Sequence, residues 1–131
     1  MKPAALALLL ILVGCSAAPA PLETVRRGET VTLGMGESGR LEPGGVILQF
    51  AAVIADSRCP VGVTCVWEGE AEVALRASSE SGEAAELRLH TRGETAVRFA
   101  GHRIRLLELA PHPIEGKPLR QSDYELTIGV E

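Results

Sequence analysis

Apolar and polar residues alternate with a period of two over one short run after another. In the run 69–76, Ala71, Val73 and Leu75 share one face while Glu70, Glu72 and Arg76 share the other. In 85–91, Leu87 and Leu89 alternate with Glu86, Arg88 and His90, and near the end Tyr124, Leu126, Ile128 and Val130 alternate with Glu125, Thr127 and Gly129. This pattern predicts strands with one buried and one wet face, as in antiparallel sheets. The run 46–55 is apolar almost throughout and predicts a central strand covered on both faces. Residues 94–100 and 102–109 predict two further strands joined tightly at Gly101. Turn residues fall between the runs, at 43–45, 78–83, 92–93 and 111–118. No stretch carries a capped helical periodicity. The expectation is an all-β domain, an antiparallel β-sandwich (Ig-like, or a small open barrel) of about 7–8 strands. Its core is expected to run from Val46, Leu48 and Phe50 through Val97, Phe99 and Leu107 to Leu126 and Ile128.

The first residues break this pattern. Lys2 precedes an uninterrupted apolar run, 4–13, which ends in Leu12-Val13-Gly14-Cys15. A bilayer-spanning helix needs about 20 apolar residues, so the run has signal-peptide and not transmembrane length. The segment 16–22 that follows is small, uncharged and Pro-bearing, which suits a semi-rigid tether. The organisation expected is a signal peptide over 1–14, a tether over 15–23 and one β-sandwich domain over 24–131.

Leu12-Val13-Gly14-Cys15 resembles the lipobox of bacterial lipoprotein precursors. That resemblance implies that Cys15 is lipidated on its thiol, that the chain is cut just before it, and that the new amino terminus is acylated. Several acyl chains anchor stably where one holds only marginally. The partner implied is therefore a membrane, reached through Cys15, and the place is the cell envelope, facing the periplasm or the exterior. Ser16 after the cysteine resembles lipoproteins sent to the outer membrane of Gram-negative cells.

With Cys15 assigned in this way, two of the three cysteines remain, Cys59 and Cys65. The compartment is oxidising and Pro60 and Gly62 allow the chain to double back, so a disulfide is expected. A redox-active pair would sit at C-x-x-C spacing, which this is not. The surrounding motif, Asp56-Ser57-Arg58-Cys59-Pro60 with Cys65-Val66-Trp67 and Gly69, resembles one in small envelope lipoproteins of no assigned activity. The resemblance implies fold and location and carries over no catalytic residue.

Composition narrows the reading further. The 131 residues are 46% apolar, which fits one globular domain. The net charge is −4, and loss of 1–14 leaves 12 basic against 17 acidic residues, a net −5. No nucleic-acid partner is expected of so acidic a chain. Gly34, Gly36 and Gly39 satisfy G-x-G-x-x-G, yet Pro43-Gly44-Gly45 follows where a dinucleotide site needs a helix, so a turn between early strands is expected.

Glu68, Glu70 and Glu72 share a face beside Trp67, and Arg103 and Arg105 are their expected salt-bridge partners. Trp67 itself either packs over the disulfide or caps one end of the core, or else stands exposed as a binding anchor. The interaction surface expected is Asp56, Arg58, Trp67 and Glu68, with an envelope protein as a possible partner. A periplasmic metal-binding protein is the alternative, drawing on the acidic face or on Met35, His90, His102 and His112, none of which lies at metal-motif spacing from the cysteines. A hydrolase has the weakest footing, because no nucleophile setting surrounds Ser57 or the other serines and His112 between two prolines reads as structural. No cofactor and no catalytic residue is expected.

Overall fold

The computed structural model describes Gly14 and residues 21–131; Cys15 and the rest of the expected leader and tether up to residue 20 lie outside the described residues. The described residues form nine strands: β1 (Glu23–Arg26), β2 (Thr30–Gly34), β3 (Ser38–Glu42), β4 (Val46–Asp56), β5 (Ala71–Ser78), β6 (Ala84–His90), β7 (Ala96–Phe99), β8 (His102–Ala110) and β9 (Glu125–Val130). Two open sheets, ordered β1-β3-β4-β5-β6 and β2-β9-β8-β7, make a β-sandwich. No described helix is long and apolar enough to cross a membrane.

Alternation decides which side chains meet between the sheets. Leu48, Phe50, Val73, Leu75 and Leu89 from the first sheet and Ile104, Leu126 and Ile128 from the second are fully buried. Most of the expected core is there, with three physical corrections. The run 46–55 is central, but only one face is buried, since Ile47, Gln49 and Ala51 stay partly open and Ile54 is exposed. Leu107 is 49% exposed. The register of β8 against β9 slips between Leu106 and Glu108, and the extra residue of this bulge turns Leu107 outward and brings Leu109 in. Val97 packs only partly buried against the core.

Two short strands at the start complete the sandwich. β1 pairs with β3 in parallel, the one parallel ladder among the described strands, because the chain crosses to the other sheet for β2 before returning as β3. The G-x-G-x-x-G segment spans the β2–β3 connection, where the Gly34 amide donates to the Glu37 carboxylate at 2.7 Å. It forms a turn, as expected.

The registers also sort the connections between the two ends of the sandwich. Loop 57–70, the β6–β7 turn, loop 111–124 and the β2–β3 turn lie at one end. The β3–β4, β5–β6 and β7–β8 turns and the last residue lie at the other. β1 runs against β4, so the residues preceding Glu23 enter from the end that carries loop 57–70.

Candidate functional site: the disulfide loop

Loop 57–70 is an extension of the β4–β5 hairpin whose base is buried and whose tip is open. Ladder bonds continue past the strands, from the Ser57 amide to the Glu70 carbonyl at 2.8 Å and from the Cys59 amide to the Glu68 carbonyl at 2.9 Å. The Cys59–Cys65 disulfide closes the tip, with the two Cα atoms 5.9 Å apart. Loop 111–118 braces one side. The Val61 amide donates to the Pro113 carbonyl at 2.9 Å, the Glu115 amide to the Val61 carbonyl at 3.1 Å, and His112 Nε2 lies 2.8 Å from the Cys59 carbonyl.

Beneath the tip sits an ion pair with side-chain exposures of only 10% for Arg58 and 9% for Asp56. Arg58 binds the carboxylate through Nε and Nη2, both at 2.8 Å, and also donates to the carbonyls of Leu109 and Pro111 at 2.6 and 2.9 Å. The Tyr124 hydroxyl donates to Asp56 Oδ2 at 3.0 Å. One guanidinium thus ties together β4, the loop, the end of β8 and the start of loop 111–124. Bidentate charged bonds of this kind are the strong ones.

Burial opposes ionisation of Asp56, but the bonds from Arg58 and Tyr124 outweigh it and hold the carboxyl below the usual carboxylate range. Burial first, then the bond to Asp56 and its charge, push the Tyr124 hydroxyl up to about 12. The native state therefore releases the Asp56 proton more readily than the unfolded chain, so this contribution is full above the ordinary carboxylate range and is lost as pH falls through the native value. For Tyr124 the contribution is full below pH ~10, the ordinary tyrosine value, and is lost as pH rises toward 12. Tyr124 is the single tyrosine of the chain. A phenolate absorbance titration of the folded protein is expected to give a midpoint near 12, and a midpoint at the free-tyrosine value would contradict the buried bond.

The four residues expected to form an interaction surface separate in space. Asp56 and Arg58 are framework, turned inward to hold the loop. Trp67 and Glu68 are on the surface, and Trp67 is 81% exposed, so it neither caps the core nor packs away over the disulfide. Val66 beside it in the chain is 91% exposed, and Val61 and Val63 on the same loop and Ile114 on the bracing loop are exposed as well. Ile114 had no signal in the alternation. It joins because Val61 bridges to it in parallel across the two loops. A shallow groove of about 540 Å³ runs beside this patch, between Pro60, Pro113 and Tyr124.

The acidic face is satisfied locally, and the expected partners are corrected. Glu72 pairs with Arg88 at 2.7 Å, Glu68 with Arg92 at 2.9 Å, and Glu70 lies 3.6 Å from His90. Arg103 and Arg105 belong to the other sheet and meet Glu131 instead. Ser57 Oγ donates to the main-chain carbonyl of Glu70 at 2.9 Å. His102 is buried with Nε2 2.7 Å from the Pro43 carbonyl. Among the described residues no group of three or more His, Cys, Asp or Glu is arranged to hold a metal ion. No family model, no curated protein and no solved structure matches the chain.

Proposed function

We propose that the chain is a lipid-anchored β-sandwich of the cell envelope, an interaction module and not an enzyme, whose working surface is the tip of the disulfide loop. The observation that supports this most is the exposure of Val66 and Trp67 on a loop whose base is held by the Asp56–Arg58 pair. Isolated exposed apolar residues are ordinary, but several on one braced loop fit a contact site. Large aromatics on such sites carry a disproportionate share of binding energy. The lipobox at 12–15 supplies the anchor, and its Ser16 context directs a Gram-negative lipoprotein to the outer membrane.

The anchor is tested by Cys15→Ala. The wild-type protein is expected to incorporate radiolabelled palmitate and Cys15→Ala is expected to incorporate none. A variant that still takes up the label contradicts lipidation at Cys15.

A further inference from the structure

The exposed apolar surface is concentrated at one end of the sandwich. Val61, Val63, Val66, Trp67 and Ile114 are all exposed there. The turns of the opposite end expose no large hydrophobic residue among those described. The apolar end is also the end from which the chain enters β1.

Chain lengths then relate the tip to the anchor. Glu23 stands opposite Gly39, and Gly39 opposite Leu48, so the start of β1 is level with Leu48. From Leu48, β4 runs on to Asp56 before the loop begins, roughly 20–25 Å at strand rise with two bulges shortening it. Eight residue steps separate Cys15 from Glu23, a span of at most about 29 Å for a fully extended chain. An acylated Cys15 can therefore reach about the level of the loop and little beyond it. A bilayer holding that anchor cannot stand clear of the tip when the sandwich is upright on it.

The tip has the chemistry of an interfacial contact. Residues 61–67 carry no charge, and Glu68 beside them is paired with Arg92. Tryptophan favours the headgroup layer, where its amphipathic ring has one apolar and one wet side. We propose that the disulfide loop is a membrane foot: Val66 and Trp67 seat in the headgroup layer of the same bilayer that holds the Cys15 lipid. The proposal rests on the anchor reading above. It gives the loop a task, which is to hold the sandwich upright with the opposite end, carrying the β3–β4 and β5–β6 turns, facing away from the membrane.

Trp67 is the single tryptophan, so its fluorescence reports the foot alone. The full-length lipidated protein is reconstituted into vesicles of phosphatidylethanolamine and phosphatidylglycerol, with and without lipids brominated near the headgroup end of their acyl chains. The expected result is a blue-shifted emission that loses most of its intensity in the brominated vesicles and is protected from aqueous acrylamide. Val66→Glu, at a site whose exposure leaves folding unaffected, is expected to restore a water-like spectrum while the protein stays bound. A vesicle-bound protein with Trp67 open to acrylamide overturns the foot and leaves the anchor standing. Protection from acrylamide without quenching by brominated lipid also overturns it, and indicates a protein covering the loop. A full-length chain that does not associate with vesicles defeats the anchor, and the foot with it.

Discussion

Replacing Gly69 by alanine is expected to destabilise the domain by about 3 kcal/mol or more, near the upper end for single backbone-strain substitutions. Two effects add at this position. Its φ is +67°, where an L side chain is strained. A Cβ there would also overlap the Ser57 carbonyl oxygen, and that atom is main chain in the ladder that opens the loop. It cannot rotate away as a side chain would. The Ser57–Glu70 bonds lie on one side of the contact and the Cys59–Glu68 bond on the other, so relief requires opening the hairpin base.

Gly82 provides the comparison. Its φ is +90°, but no atom lies within 4 Å of an added Cβ, so Gly82→Ala is expected to cost only about 1–2 kcal/mol. Urea unfolding of the two variants separates the effects. Equal losses would show that the close approach to Ser57 contributes nothing. The wild-type protein and Gly69→Ala should also differ in protease cutting within 57–70, because the strain falls where the loop joins the sheet.

Arg58→Met is expected to destabilise by about 3–5 kcal/mol, the range for removing one partner of a buried ion pair. The substitution keeps much of the aliphatic stem but leaves the Asp56 carboxylate with only the Tyr124 hydroxyl and the amide of residue 58. It also strips a donor from the carbonyls of Leu109 and Pro111. Arg92→Ala, which breaks the exposed pair with Glu68, is expected to cost less than about 1 kcal/mol. Denaturant midpoints at neutral pH give both numbers. If Arg58→Met is no worse than Arg92→Ala, the guanidinium is not the tie between the loops. In the double variant with Asp56→Ala, the loss should fall well short of the sum of the single losses, since the stranded charge is gone.

The two substitutions act at places of unequal visibility in the sequence. The alternation at 71–75, 87–89 and 124–130 is enough to place strands and to say which side chains face inward, and the structure buries them so. Cys59 and Cys65, close in the chain with Pro60 and Gly62 between them, read as a disulfide pair, and the structure joins them. Leu107 shows where periodicity stops. A single bulged residue reverses parity, and nothing in the local pattern marks it, because the slip is set by pairing with β9. The partners of the acidic face fail for a related reason. Arg103 and Arg105 have the right alternation, but they stand in the other sheet, and sheet membership is a property of the crossovers.

At the candidate site the same division holds. Asp56, Arg58, Trp67 and Glu68 stand out in the sequence as one cluster because they are close along the chain. Folding assigns them opposite duties, since Arg58 finds acceptors at Leu109 and Pro111 more than fifty residues away, while Trp67 stays 81% exposed. Gly69 reads as one glycine among fourteen until the Ser57 carbonyl is seen against it.

By itself, then, the sequence determined what short-range physics controls: strand faces, turns, the disulfide pair, and an N-terminal run too short to span a bilayer. Only the tertiary structure decided which end of the sandwich the chain enters, which loops meet there, and that Val66 and Trp67 share that end with Ile114. Those relations arise from strand registers and contacts between residues far apart in the chain, and the alternation of neighbouring residues does not encode them.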